Sequence, residues 1–230
     1  MSLGDDLRSE VTQIFKQQWS VRDGRLVPDD ADLKLSNDAV HFKEATVLYA
    51  DMSASTELVN QNEWTFAAEV YKTFLLCAAR VIRNSGGEIT AYDGDRIMAV
   101  FIGDNKETAA ARTALQINYC AKQIVNPAIK VQYSSSTHEV RHVVGVDMSE
   151  LRVARTGIRG ANDLVWVGRA ANYGAKLSDI SEGFASWITK DVYARLDNSA
   201  KIYNGRNMWE KRNWKDTGLT IYRSNWEWSI

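Results

Sequence analysis

Between Glu44 and Met148 the apolar residues change spacing in a fixed order, and that order restricts the folds open to the chain. Glu44 to Asp51 is a β-rich run around Thr46, Val47, Leu48 and Tyr49, read as a buried strand. The spacing of Phe66, Val70, Phe74, Ala78 and Val81 predicts a helix over Trp64 to Asn84, ended by Gly86-Gly87. Glu88 to Tyr92 and Arg96 to Ile102 are two strands joined through Asp93-Gly94-Asp95, because Asp-Gly suits a tight turn with positive φ. Asp104 reads as an N-cap, with Glu107 completing a capping box. The helix it opens runs to about Ile124, with Ala111, Leu115 and Tyr119 inward. Arg141 to Met148 is a further strand. Strand, helix, two strands, helix, strand is an α+β order, the ferredoxin-like or palm βαββαβ arrangement.

The flanks are simpler. Asp5 to Trp19 reads as a short amphipathic helix through Leu7, Val11, Ile14 and Phe15. Arg22 to Asp38 is polar with little periodicity and is expected to be an arm or irregular connection. Residues 1–40 are therefore taken as an N-terminal helix and arm, and 41–230 as one domain. Beyond the core, Leu164 to Val167 is a short strand and Gly168 to Ile180 a helix. Ala185 to Thr189 and Leu219 to Tyr222 are extra C-terminal strands. Trp209, Trp214, Trp226 and Trp228 crowd the end of the chain, which points to a packed or interfacial segment there.

The chain of 230 residues has 28 Lys plus Arg against 29 Asp plus Glu. That balance argues against nucleic acid or a membrane surface as partner, since both select a basic excess. No apolar run approaches the roughly 20 residues of a membrane span. The N-terminus carries Asp5, Asp6 and Arg8 with no apolar stretch before them, unlike a secretory leader. Cys77 and Cys120 sit in apolar helical patterns, as buried reduced thiols do. A cytoplasmic location is expected.

Asp51 ends an apolar strand and precedes the small polar segment Ser53-Ala54-Ser55-Thr56. A carboxylate at a strand end can hold a metal, and a helix start can hold phosphate. Taken alone, Asp51 is an ordinary helix cap and Asp95 an ordinary turn residue. Together, on neighbouring strands of a palm, they can face one side. Two such carboxylates make a two-metal site, with ions roughly 3.5–4 Å apart.

Three stretches resemble class III nucleotidyl cyclases. Val47-Leu48-Tyr49-Ala50-Asp51-Met52-Ser53-Ala54-Ser55-Thr56 is similar to the first metal motif of that family. Gly86-Gly87-Glu88, then Gly94-Asp95 and Met98-Ala99-Val100-Phe101, are similar to the second. Val167 to Leu177, with Asn172 and Lys176, is similar to the helix carrying the family's transition-state residues. The resemblance covers about Glu44 to Ser181. It implies that Asp51, Asp95 and the Met52 carbonyl bind two Mn²⁺ or Mg²⁺ ions per site. It implies that the amides of Ser53 to Thr56 hold a triphosphate, that Asn172 orients the ribose, and that Lys176 stands in for an arginine at the α-phosphate. Lysine keeps that charge and loses the bidentate fork. The family builds composite sites, so the resemblance also implies a head-to-tail homodimer.

The departures from the family bear on the base. Purine cyclases read it with a lysine four residues before the second metal aspartate, here Ala91. They pair that lysine with a polar residue seven before the ribose asparagine, here Val165; Asp163 lies two positions off. Tyr49 shares a strand face with Asp51 by alternation, and Arg96 follows Asp95, where alternation points it away from that residue. A phenol and a guanidinium narrow the pocket toward a pyrimidine. Arginine only donates hydrogen bonds, which suits the two carbonyls of uracil. The pair also resembles the pyrimidine cyclases of bacterial antiphage defence, implying UTP as substrate, cyclic UMP as product and a separate cyclic-nucleotide-binding effector. The alternatives are a cytidylate or purine cyclase, or a non-catalytic nucleotide-binding domain. A diguanylate cyclase is disfavoured, because Gly86-Gly87-Glu88 precedes the hairpin.

Overall fold

The structure is a computed structural model, described here for residues 2–215 and 217–230. Helix α1 (Leu3–Lys16) opens on a capping box between Ser2 and Asp5 and buries none of its residues. Strand β1 (Ser20–Asp23) pairs in parallel with the start of β2 (Asp38–Met52). The segment expected to be an irregular arm is thus sewn to the sheet. Arg22 binds the buried Asp38 at 3.0 Å, and the Asn37 amide donates to the carbonyls of Ile14 and Gln17. Such long-range ties leave no periodicity to read. They also start β2 six residues before the expected Glu44, with a bulge between Phe42 and Ala45.

After β2 come α2 (Ser55–Gln61) and α3 (Trp64–Asn84), the latter with the expected bounds and all five expected residues buried. Strands β3 (Glu88–Asp93) and β4 (Arg96–Phe101) form the hairpin, in which Asp93 pairs with Arg96 and Gly94 sits at φ +60°. A two-residue loop needs that left-handed conformation, which glycine adopts without a Cβ clash. The capping box at Asp104 does not form. Asn105 occupies the N-cap at φ +56° without a side-chain cap, and helix α4 spans Lys106–Cys120. Glu107 turns inward instead and pairs with Lys106 at 3.1 Å. The inward residues near the end of α4 are Ile117 and Cys120, with Tyr119 half-buried. A π-turn over Ala121–Val125 leads into α5 (Asn126–Gln132) just before Pro127, whose missing N–H interrupts the helical ladder.

Strand β5 (His142–Ile158) runs well past the expected Met148 and turns back as β6 (Ala161–Val167). Helix α6 (Arg169–Ser178), β7 (Ser186–Thr189), α7 (Lys190–Arg195) and α8 (Asn198–Lys201) follow. The chain closes with the small pair β8 (Ile202–Tyr203) and β9 (Arg206–Asn207), then β10 (Glu210–Asn213) and β11 (Thr220–Ser224). The main sheet has the order β10-β11-β7-β5-β2-β4-β3, with β1 and β6 joined at its side. Its β5-β2-β4-β3 portion is the palm expected from the pattern, with extra strands beyond it.

Alternation along β2 sorts its residues between two layers. Leu48, Ala50 and Met52 pack with α3 and α4. Ala45, Val47 and Tyr49 pack on the other face, against Ala170 and Ala171 of α6. Helix α6 lies close to the sheet because Gly145 faces it, where a Cβ would collide with the Gly174 carbonyl oxygen. The C-terminal tail straps α4: Trp228 donates its amide to the Leu115 carbonyl at 3.2 Å, and Asn118 donates to the Asn225 and Trp226 carbonyls. Among the described residues no helix is long and apolar enough to cross a membrane.

Candidate active site

The register of β2 against β4 builds the candidate site. Tyr49 pairs with Met98 and Asp51 with Arg96. Directly opposed residues of an antiparallel pair project to the same face. Arg96 therefore joins Asp51 and Tyr49 on the α6 side, although Asp95 itself lies in the turn. The Arg96 guanidinium lies over the Tyr49 ring at 5.6 Å. Its Nη2 donates to Asp93 Oδ2 at 3.1 Å, and its Nη1 is 4.0 Å from Asp179 Oδ1 at the end of α6. Tyr49 is wedged beneath that helix, where a Cβ on Gly174 would come within 3.2 Å of its ring. Burial pushes the Tyr49 phenol up, so it stays a neutral hydrogen-bonding group.

Asp51 is held at a cost. Burial raises its carboxyl from 3.8 to about 6, and the negative charge of Asp95 adds to that, while Arg96 draws it down. A half-buried carboxylate with a second negative charge beside it favours a cation. Among the described residues no three His, Cys, Asp or Glu side chains converge as a metal cage. Two carboxylates suffice for a hard divalent ion that takes its other ligands from phosphates, water and backbone oxygen. The Met52 side chain is buried on the opposite face, so its backbone is what it can offer.

Beyond Met52 the chain turns sharply. The Ser53 amide donates to the Arg141 carbonyl at 2.8 Å, Ala54 is left-handed at φ +60°, and α2 begins at Ser55 with no side-chain cap. The first amides of a helix have no intrahelical acceptor, so the amides around Ser55 and Thr56 stay available to an anion. Arg141 is a residue that sequence reasoning missed. It is exposed beside Ser53, and among the described residues its side chain has no ion-pair partner. Only the register that pairs Met52 with His142 brings it there.

Asn172 and Lys176 are exposed one turn apart on α6. The structure does not tie either one to Asp51 or Asp95. Lys176 lines a cleft with Asp179, Glu182, Arg212 and Trp214. The most voluminous of the described clefts, about 680 Å³, is a weaker candidate. Its charges satisfy one another, as in Arg195–Glu44 at 2.7 Å, Arg169–Asp191 at 2.6 Å and Arg152–Glu150 at 2.8 Å.

The fold is found in solved cyclases. The crystal structure of the adenylyl cyclase CyaB from P. aeruginosa superposes with a TM-score of 0.68 at 20% identity, over 81% of this chain and 95% of that one. The guanylyl cyclase Cya2 superposes with a TM-score of 0.62 at 18% identity, over 79% and 91% of the two chains. No family model matches the sequence. The fold and the motif order define a class III nucleotidyl cyclase domain. Full-length relatives narrow the class. A uridylate cyclase of Burkholderia cepacia is 51% identical over 231 residues, covering 100% of both chains. One of Rhodovulum sp. is 38% identical over 98% of this chain and 97% of its own. The chain belongs to the uridylate cyclases, which are lyases.

Proposed function

We propose that the chain converts UTP to 3′,5′-cyclic UMP and pyrophosphate. The observation that carries this reading is the cross-strand pairing of Asp51 with Arg96, with the guanidinium seated over Tyr49. It sets a donor-only group and a phenol beside the carboxylates that would face the triphosphate. Uracil presents acceptors to such a group, and cytosine presents an amine at one of those positions.

In the reaction the ribose 3′-hydroxyl gives up its proton and attacks the α-phosphorus, and the bond to the pyrophosphate oxygen breaks. Cyclases of this class use divalent metals, and Asp51, Asp95 and the Met52 carbonyl fit two Mn²⁺ or Mg²⁺ ions by their hard oxygen donors and by the cost of ionising Asp51 beside Asp95. When bound, such ions neutralise the triphosphate and acidify the attacking hydroxyl. The amides of Ala54 to Thr56 cradle the phosphates, with Arg141 beside them; the Ser53 amide, expected to join them, is already bound to the Arg141 carbonyl. Asn172 orients the ribose and Lys176 meets charge at the α-phosphate. Both point outward from their own protomer, which supports a homodimer in which each copy completes its partner's site. The product serves as a second messenger for a separate cyclic-nucleotide-binding effector in antiphage defence.

Incubation of the purified protein with each of the four nucleoside triphosphates and manganese tests the reading. Cyclic UMP is the expected main product, and preferential cyclisation of ATP or GTP would refute the base assignment. Asp51→Ala and Asp95→Ala are each expected to abolish turnover. Removing the guanidinium in Arg96→Ala is expected to lower kcat/KM for UTP by about 10- to 100-fold while leaving CTP less affected.

A further inference from the structure

We propose that Asp147 and Arg169 form a positioning pair that fixes the rotation of α6 and so sets where Asn172 and Lys176 point. The inference rests on the roles given to those two residues above. Asp147 lies within β5 with no exposed surface, where a carboxylate is costly unless its oxygens are bonded. Both are bonded. Arg169, the first residue of α6, donates through Nε to Oδ2 at 3.0 Å and through Nη2 to Oδ1 at 3.3 Å. Thr189, the N-cap of α7, donates to Oδ1 at 2.6 Å. The same Arg169 Nη2 reaches the Met148 carbonyl at 2.7 Å and Asp191 of α7 at 2.6 Å. One buried carboxylate thus ties down the starts of two helices.

Alternation puts Gly145, Asp147 and Ser149 of β5 on the face that carries α6. Gly145 admits the Gly174 backbone, Asp147 holds Arg169, and the Ser149 hydroxyl accepts from the Ala170 amide at 3.0 Å. That last bond caps a helix whose own N-cap, Gly168, has no side chain to do so. Close approach at Gly145 sets how far α6 stands from the sheet. It does little to stop the helix turning about its axis, because the buried face is mostly small: Ala170, Ala171, Gly174 and Ser178, with Leu177. A bidentate fork does resist turning, since its two bonds need one relative orientation of guanidinium and carboxylate.

Asn172 and Lys176 follow Arg169 at helical spacing, about one and two turns on, so the three share one stripe of α6. Side-chain tips lie roughly 5–6 Å from a helix axis, so a rotation of about 10° moves each by about 1 Å. A displacement of that size can cost about 100-fold in rate. Asp51, Asp95 and the amides of Ala54 to Thr56 belong to other elements and keep their places. Loss of the fork therefore leaves the triphosphate bound and slows its conversion.

The test measures UTP cyclisation by full-length variants with manganese, below the temperature at which any of them begins to unfold. Arg169→Lys keeps the charge and loses the fork, and Asp147→Asn keeps the shape and the bond from Thr189. Each is expected to lower kcat by about 10- to 100-fold with KM within about 3-fold of wild type. Should Asp147→Asn not fold, Arg169→Lys carries the test. Asp191→Asn removes only the exposed partner of Arg169 and is expected to stay within about 2-fold. Mixing locates the defect. Arg169→Lys with Asp51→Ala should recover about one quarter of wild-type activity, because the second chain lends an intact α6 to the first chain's carboxylates; with Asn172→Ala it should recover none. A folded variant of either Asp147 or Arg169 with kcat within about 2-fold of wild type, a defect carried by KM, or an equal loss in Asp191→Asn would overturn the proposal. So would recovery with Asn172→Ala, or no recovery with Asp51→Ala when Asp51→Ala and Asn172→Ala rescue each other. If that control pair recovers nothing, the composite site is refuted and the split between kcat and KM alone decides. If the wild type prefers another nucleotide, the base assignment fails and the same kinetics are read on that nucleotide.

Discussion

Asp51→Asn should stabilise the metal-free protein at neutral pH while removing its catalysis. The Asp51 carboxyl is raised from 3.8 to about 6, chiefly by burial and then by Asp95. A raised carboxyl binds its proton more tightly in the folded state than in the unfolded one. Its ionisation therefore weakens the fold: not at all below 3.8, increasingly between 3.8 and about 6, and fully above that. At about 1.4 kcal/mol for each pH unit, the upper bound on this penalty is about 3 kcal/mol. Asp51 is partly exposed at the strand end, and solvent screening reduces the figure to about 1.5 kcal/mol. For a chain of this size that is a rise in Tm of about 3–6 °C in Asp51→Asn at pH 7.5. The assay is calorimetric unfolding of wild type and variant with a chelator present, from pH 5 to pH 8. The gain should shrink as the pH falls, and manganese should stabilise the wild type but not the variant. A variant less stable than wild type at pH 7.5, or a gain that ignores pH, would refute the view that this carboxylate is strained in the absence of a cation.

Further outcomes follow from other parts of the molecule. His142 is fully enclosed and burial pushes it down to about 4, so it folds neutral. Stability is therefore expected to fall as the pH drops below 6.5 toward 4, by up to about 3 kcal/mol, and His142→Phe should flatten that slope in an acid titration of unfolding. Mixing Asp51→Ala with Asn172→Ala tests the composite site. Random pairing places one intact site in half of the dimers, so about one quarter of wild-type activity should return from two inactive proteins. No recovery, with mixed dimers verified, would place all the groups in one protomer. Gly145→Ala forces a Cβ against the Gly174 carbonyl, and is expected to cost about 2–4 kcal/mol in denaturant unfolding through displacement of α6.

Short-range patterns carried much of the fold. The helix Trp64–Asn84 was legible to the residue, because its apolar stripe and its glycine stop act within a few turns of chain. Asp51 at a strand end and Gly94 in a two-residue turn were legible for the same reason. Local pattern misled at Asp104 and Glu107, where interior pairing of Glu107 with Lys106 overrode a cap that short-range chemistry favoured. It was silent about the Arg22–Asp38 tie that brings β1 into the sheet.

The candidate site divides along the same line. Its carboxylates, its small polar turn and the Asn172–Lys176 face of α6 lie within single motifs, and one strand or helix period relates the members of each. The seating of Arg96 opposite Asp51 and the approach of Arg141 to Ser53 each join residues far apart in the chain. A register or a helix packing angle sets those distances, and a shift of one residue would turn the side chains to the other face. No local pattern encodes that choice. It is made by the sheet and its two layers closing together around Tyr49, Gly145 and Gly174.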